Sequence, residues 1–211
     1  MASIQFYGSK LLLFSNKSFP IKSLSHRIYI SSFVNRTSYF KICTFAIAME
    51  EILKQLPQRA KDTHNENKKF FKKLKRKPPK NLDSFMQELH DEEFERTDCL
   101  TCANCCKTTG PLFTQKDIER IAKHFKMKPS KFIETYLQMD EENDYVLQSV
   151  PCTFLGEDNY CSIYDVRPKA CKEFPHTDRK KFQQISNLTL KNVAICPAAF
   201  NIVEEMKKRL P

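Results

Sequence analysis

Cys99-Leu-Thr-Cys102-Ala-Asn-Cys105-Cys106 places four thiols within eight residues of a 211-residue chain. Thiolates are soft ligands, and a C-x2-C step lets two sulfurs reach one metal ion from a single turn of backbone. Three cysteines at C-x2-C-x2-C spacing are also typical of a loop that wraps an iron–sulfur cluster. This cysteine window, Cys99–Cys106, therefore predicts a metal or cluster site around which a small domain folds.

More thiols follow downstream, at Cys152, Cys161, Cys171 and Cys196. The side chains of Cys105 and Cys106 diverge because the residues are adjacent, so we expect Cys106 to serve a second site or the opposite wall of the same one. Eight thiols suffice for two four-thiolate centres, or for one centre and a redox-active pair. Zinc and iron, the latter alone or in an iron–sulfur cluster, both suit these donors. Nothing resembles a secretory signal, which favours metal ligation over disulfides.

The second half of the chain carries a denser signature: Pro151-Cys152-Thr-Phe-Leu155, then Cys161-Ser-Ile-Tyr164-Asp-Val-Arg167-Pro168-Lys-Ala-Cys171-Lys-Glu-Phe174-Pro175. Together with the cysteine window it resembles the YkgJ-type cysteine-cluster family, the zinc- or iron-chelating CxxCxxCC domain, over roughly residues 95–200. The resemblance implies eight cysteine ligands: Cys99, Cys102, Cys105, Cys106, Cys152, Cys161, Cys171 and Cys196. It leaves the activity open, since some relatives are described as flagellin lysine methylases and others as iron–sulfur proteins. The chain departs from the pattern at Lys172, where the family often has arginine.

Two residues near the cysteines are expected to support the site. Arg167 carries a positive charge that can offset the thiolates, since four thiolates on a divalent metal leave a net charge of about −2. Tyr164 can hydrogen-bond a sulfur or a carbonyl beside the metal. The alternatives are ordinary structure: a surface salt bridge for Arg167, to Asp165 or Glu173, and hydrophobic packing for Tyr164.

The charge of the chain is uneven. Residues 1–49 contribute +6, residues 50–80 contribute +7 and residues 81–211 contribute −3 to the net charge of +10. Residues 1–48 contain nine serines and no carboxylate, which is typical of an organellar transit peptide. The opening Met-Ala-Ser and the excess of serine over arginine favour a chloroplast over a mitochondrion. The alternative is a disordered cytosolic tail, with Met49 as the true start.

Residues 49–80 are predicted to form a basic, helix-prone arm or linker. Lys68–Lys80 contains eight basic residues and no acidic one. We expect this segment either to contact RNA, an acidic lipid surface or an acidic protein, or to be a solvated linker. The sequence does not identify a protein partner. It contains no apolar run long enough to cross a bilayer, and we expect a soluble protein.

Residues 81–211 are predicted to fold as an α+β domain, a small, cysteine-rich, metal-stapled unit with short helices and a β-hairpin. Four helices are predicted, from Asn81 to about Thr97, after an N-cap at Thr114, after Pro129 and over Ala198–Leu210. A strand is predicted over Tyr145–Val150, and the hairpin over Cys152–Tyr164 around Gly156 and Asn159.

The most direct functional interpretation is a metal-binding protein that serves electron transfer, metal handling or the assembly of another complex. The second hypothesis is a metal-dependent enzyme that modifies proteins, as an oxidoreductase or a methyltransferase. The chain has only three glycines, so it offers no glycine-rich dinucleotide or phosphate loop for such an enzyme. The third hypothesis is an RNA-associated factor in which the metal is structural.

Overall fold

The computed structural model describes residues 36–210, with side chains from Met49 onward. Of the predicted transit peptide, residues 1–35 lie outside the described residues and residues 36–48 are described by their backbone alone. Pro211 and the side chain of Cys43 are likewise outside the description.

Helix α1 spans Arg36–Arg76 and crosses the predicted boundary between residues 48 and 49 without interruption. Its buried residues Leu56, Ala60, Phe71 and Leu74 recur at helical spacing and therefore share one face. That face packs into the hydrophobic core, so most of the segment interpreted as an arm or linker is an integral helix of the domain. The apolar pattern of the segment is used for packing, and its lysines remain in solvent.

The elements that follow α1 are mostly helices of four to thirteen residues. In chain order they are α2 (Leu82–Phe94), α3 (Cys99–Cys102), α4 (Asn104–Thr108), β1 (Leu112–Phe113), α5 (Gln115–His124), α6 (Pro129–Tyr136), β2 (Leu137–Met139), β3 (Tyr145–Leu147), α7 (Lys169–Glu173), α8 (Ser186–Asn192) and α9 (Pro197–Arg209). Two 3-10 turns, Tyr164–Val166 and Phe182–Ile185, precede α7 and α8. The predicted α+β class is confirmed.

The predicted helices appear as α2, α5, α6 and α9. The start of α5 is set by a capping box, in which the Thr114 hydroxyl accepts the Asp117 N–H and the Asp117 carboxylate accepts the Thr114 N–H. Pro129 occupies the first turn of α6, as its fixed φ favours. Asn81 stands at the N-cap position of α2 without a side-chain capping bond.

Strands β1, β2 and β3 form an antiparallel sheet in the order β1-β3-β2. The central strand β3 begins at Tyr145, as predicted, but ends at Leu147. The predicted hairpin over Cys152–Tyr164 turns back through a single bridge, Leu155–Cys161, instead of paired strands. A Cβ at Gly156 would lie 3.3 Å from the Tyr160 carbonyl and 2.7 Å from the Asp158 carboxylate, which would have to move, so glycine fits this turn most easily.

Buried apolar side chains form two clusters. The first core joins α1, α2, α8 and α9, and the second joins α5, α6, the sheet and the turn around Phe154. Cys196 packs against the first core, whereas Cys152 and Cys161 pack against the second. The cysteine region therefore adjoins both cores. Within the described residues, none of the helices has the length and apolar character needed to span a bilayer.

Candidate metal centre

The cysteine window is divided between two short helices. The Asp98 carboxylate caps α3 by accepting the Leu100 N–H at 2.9 Å. Ala103 then adopts a left-handed conformation, with φ of 47°, and its N–H donates to the Cys99 carbonyl at 2.8 Å. Because this residue ends α3 and precedes α4, the C-x2-C-x2-C motif wraps around a corner instead of following one helix face.

The first cysteine set surrounds a cavity of about 50 Å³. It consists of Cys99, Cys102, Cys105 and Cys196, which all line this cavity. The remaining walls are mainly apolar and include Met49, Phe94, Phe174, Ile195 and Pro197. Asn104 positions Cys196, because its side-chain amide donates to the carbonyl of the preceding residue, Ile195, at 2.6 Å. Three thiols of the window thus face a fourth that lies at the start of α9.

The second cysteine set consists of Cys106, Cys152, Cys161 and Cys171. The Cys152 N–H donates to the Cys106 carbonyl at 2.8 Å, which joins the window to the downstream motif. Burial is the main cause that raises the pKa of the other three thiols, and the nearby charge of Cys106 adds to it in each case. These four thiols therefore lie within electrostatic range of one another.

The two sets meet at Cys105 and Cys106, whose sulfur atoms share a hydrogen bond at 4.0 Å. This hydrogen bond is the main cause that lowers the pKa of Cys106 to about 7 and raises the pKa of Cys105. The charge of Cys106 also raises the pKa of Cys99 and Cys102, more weakly than burial does. Cys106 is thus the thiol that interacts with both sets.

Cys171 and Cys196, the two cysteines farthest along the chain from the cysteine window, are protonated at neutral pH in the metal-free state. Burial raises the pKa of Cys171 and of Cys196 to about 12. A metal that binds either thiol must displace its proton, which makes metal affinity depend on pH. All eight cysteines are free thiols in the described part of the chain.

Arg167 lies beside the second cysteine set. Its positive charge lowers the pKa of Cys161 and Cys171, against the larger opposing effect of burial. Its guanidinium lies 3.8 Å from the centre of the Tyr164 ring and donates to the Tyr164 carbonyl at 2.7 Å. Tyr164, half exposed at 51%, thus holds the guanidinium in place by a cation–π contact. Their roles toward a bound metal stay predictions.

Asp117 and Arg120 are structural supports of the second set that the sequence interpretation missed. Asp117 is buried, and its carboxylate accepts the N–H of Lys169, the first residue of α7, at 3.1 Å. Arg120 pairs with Asp117 and donates to the Arg167 carbonyl at 2.9 Å. Burial by itself raises the pKa of Asp117, but its hydrogen bonds with Thr114 and Arg120 outweigh this effect and keep the pKa below its usual value. The pair anchors the segment that carries Arg167 and the helix that carries Cys171.

Glu93 has the corresponding role near the first set. This carboxylate is buried at 2% exposure in the last turn of α2. It accepts hydrogen bonds from Thr97 at 3.0 Å, from Asn201 of α9 at 2.9 Å and from Arg96. The residues that precede Cys99 are thereby tied to the helix that follows Cys196.

The donor set suits a soft metal, because the eight thiols fall into two groups of four, which is the number that zinc and iron–sulfur clusters take from cysteine. Cys99 is exposed, Cys102 is buried and the other six are partly buried. Among the described residues, no group of three or more His, Cys, Asp or Glu side chains is arranged so that it could hold a metal ion as the structure stands. Which thiols bind metal therefore stays a prediction.

A comparison with known families agrees with the sequence resemblance. Residues 98–189 match the model of the CxxCxxCC family, a candidate zinc- or iron-chelating domain. The matched segment includes seven of the eight cysteines and ends before Cys196. The search of curated proteins and the search of solved structures found no match for the chain. By its cysteine window and by the motifs that follow it, the segment 98–189 is similar to the CxxCxxCC family, a candidate zinc- or iron-chelating domain.

Proposed function

We propose that this chain is an electron-transfer protein that holds metal at two four-cysteine centres, and that the first cysteine set binds an iron–sulfur cluster. The observation that carries the proposal is the division of eight thiols into two sets of four, one of which lines a cavity. Each set contains residues from the cysteine window and from a distant part of the chain, so each centre would also stabilise the fold.

The cavity of the first cysteine set favours a cluster over a single zinc ion. Four sulfurs at about 2.3 Å from a zinc ion lie about 3.8 Å apart and leave no space between them. The thiols of this set instead border a space of about 50 Å³ with apolar walls, which is several times the roughly 10–15 Å³ that one water needs. Apolar walls reduce the contact of a bound cluster with water, and solvent exposure is one of the factors that set a cluster's potential.

Cys196 is well placed to be the distant ligand of this cluster. It stands at the N-cap of α9, where its sulfur accepts the Ala199 N–H at 3.5 Å, and Pro197 follows it in the first turn. The N-terminus of a helix stabilises a thiolate.

The second cysteine set is the second centre in this proposal. Arg167 offsets part of the thiolate charge there, and Asp117 and Arg120 hold the segment that carries it. An iron–sulfur cluster, when bound, supplies one-electron transfer at a potential set by its ligands, hydrogen bonds and exposure. The contact between Cys105 and Cys106 brings the two centres close enough to exchange electrons. Zinc at both sets is the competing assignment.

The test is the iron, zinc and acid-labile sulfide content of the full chain purified without oxygen, together with its visible spectrum. We expect Cys102→Ser to remove the iron and sulfide of the first centre, and Cys171→Ser to remove only the metal of the second. Cys43→Ser is the matched control, since it removes the one thiol outside both sets. A colourless protein with zinc and no sulfide would overturn the cluster and the electron-transfer role. Full metal content in Cys102→Ser would overturn the division into two sets.

A further inference from the structure

We propose that two basic segments, which are more than a hundred residues apart in the chain, form one surface that binds the phosphate backbone of a nucleic-acid duplex. The segments are the end of α1 with the residue that follows it, from Lys68 to Lys77, and the turn Arg179–Lys181. This basic surface is separate from both cysteine sets, and the proposal does not depend on which metal they hold.

The α1 segment presents its lysines to solvent because its apolar face is committed to the core. Phe71 and Leu74 are buried at 2% and 5% exposure. The basic residues occupy the rest of the helix circumference, from the flank of the apolar face to the opposite side, and all are exposed: Lys68, Lys69, Lys72, Lys75 and Arg76. Residues four apart on this face are about 6 Å apart along the axis. The helix therefore presents a regular row of positive charges on a rigid support.

These charges are not neutralised within the protein. Among the described residues, none forms an ion pair with Lys68, Lys69, Lys72, Lys75 or Arg76, and no acidic residue occurs between Glu66 and Asp83 in the chain. The basic end of α9 is different, since Lys207 pairs with Glu66 at 2.9 Å and Arg209 pairs with Glu92 at 2.6 Å. Basic residues with ion pairs stabilise the fold, whereas the α1 row is free to meet an external anion.

The fold brings the second basic segment to the same place. Phe182 follows Lys181 and packs against Phe71, with ring centroids 6.2 Å apart. The Asp83 carboxylate accepts the N–H groups of Lys181 and Phe182, at 2.8 and 3.2 Å, which fixes the turn beside the end of α1. The three residues of the turn, Arg179, Lys180 and Lys181, are exposed. Asp83 and Asp178 adjoin the turn, and Glu173, which pairs with Lys169 at 3.5 Å, lies near Arg179 and Lys180. These three carboxylates offset part of the charge of the four basic residues around the turn.

The chemistry of this surface favours nucleic acid over a lipid membrane. A helix that lies on a membrane inserts its apolar face among the acyl chains, but here that face is occupied by the core. The exposed side of the α1 segment is cationic, and it matches the closely spaced phosphates of a nucleic acid. Single strands are held mainly by stacking of bases on exposed aromatic rings. The aromatic residues of the α1 segment, Phe70 and Phe71, are partly or fully buried, so a duplex contacted through its backbone is the better fit.

Binding of an RNA duplex of about 20 base pairs to the full chain, measured by fluorescence anisotropy between about 50 and 200 mM salt, tests the proposal. Three double variants are compared: Lys72→Glu with Lys75→Glu, Arg179→Glu with Lys180→Glu, and the control Lys123→Glu with Lys128→Glu. The control lysines are also exposed and lie elsewhere on the domain, in and after α5. Each double variant lowers the net charge from +10 to +6.

We expect the first two variants to bind the duplex roughly tenfold more weakly and to lower the salt slope by about 2, with the control changed by less than about threefold. A DNA duplex of the same sequence should bind equally well, because the contacts are to phosphates. Equal weakening in all three variants would show that net charge alone matters and would overturn the proposal. So would unchanged binding in either of the first two, or binding of the wild type to phosphatidylserine vesicles in preference to the duplex. Equal metal content in all variants confirms that they fold.

Discussion

Cys105 and Cys106 are consecutive residues of α4, yet their thiols belong to different cysteine sets and share a hydrogen bond at 4.0 Å. The pKa of Cys106 falls to about 7 through this contact, while the pKa of its neighbour rises. One peptide unit thus connects the two candidate centres, and a change at either thiol acts on both.

Replacing Cys106 should therefore disturb more than its own set. We expect Cys106→Ser to lose the metal of the second set and also to shift the visible spectrum of the first, because it removes the sulfur that lies 4.0 Å from the Cys105 sulfur. Cys171→Ser, which removes a thiol of the same set away from the junction, should leave that spectrum unchanged. Metal analysis and absorption spectra of the two variants measure the difference. Identical spectra would argue against the connection.

Asp117 should be needed for stability and for the second set in particular. Asp117→Ala removes a buried carboxylate that accepts the Thr114 N–H in the capping box, pairs with Arg120 and accepts the Lys169 N–H. We expect the free energy of unfolding to fall by about 3 kcal/mol, since the change leaves Arg120 without its ionic partner and leaves the Thr114 and Lys169 N–H groups without their carboxylate acceptor. Urea unfolding measures this loss. The exposed Asp165, which is close to the same segment, provides the control Asp165→Ala, expected to change stability by less than about 0.5 kcal/mol.

Helix α1 should behave as part of the domain. Phe71→Ala removes a ring buried at 2% exposure between α1 and Phe182, and we expect a loss of about 3–5 kcal/mol in the free energy of unfolding. Phe125→Ala is the matched control, because its ring is 36% exposed and should lose less. Thermal unfolding of the two variants compares them directly. Equal effects would mean that α1 does not contribute to the first core.

The metal-free, reduced protein should lose stability as the pH rises above 9. The pKa of Cys171 and of Cys196 is about 12 in the folded protein, against 9.0 for an unperturbed thiol. Between these values the unfolded chain releases protons that the folded chain retains, so the free energy of unfolding falls with increasing pH. At pH 10 the loss is about 1.4 kcal/mol for each thiol.

Urea unfolding at pH 8 and pH 10 measures this loss, and the double variant Cys171→Ser with Cys196→Ser accounts for other groups that titrate in the same range. A wild type that is as stable at pH 10 as at pH 8 would contradict the prediction. The metal-loaded protein should not show the decrease, because its ligands are thiolates already.

Local signals in the sequence predicted much of the fold. The capping box of Thr114 and Asp117 and the position of Pro129 determine where α5 and α6 begin, and both can be read from a few neighbouring residues. The apolar spacing around Phe71 was ambiguous, since the same pattern occurs in an amphipathic linker and in a core helix. Only its contact with Phe182, which is 111 residues away, decides between them.

The sequence identifies the eight cysteines as candidate ligands. It does not show which four of them belong to each set. The C-x2-C-x2-C spacing indicates that three thiols can share a site, without identifying the fourth. That information lies in long-range contacts, from Asn104 to the Ile195 carbonyl and from the Cys152 N–H to the Cys106 carbonyl. The hydrogen bond from the Lys169 N–H to the Asp117 carboxylate could not be predicted for the same reason, because it joins residues that are 52 positions apart.

The packing of α1 and α9 in one core has a consequence for dissecting this chain into fragments. A fragment cut to the family match, residues 98–189, would lack both helices, and with them most of the first core and one of the four thiols around the cavity. It would expose the apolar surface of what remains and should aggregate or fail to retain metal. An autonomous fragment must reach from α1 to α9, because the part of the chain that carries the family signature is smaller than the unit that folds.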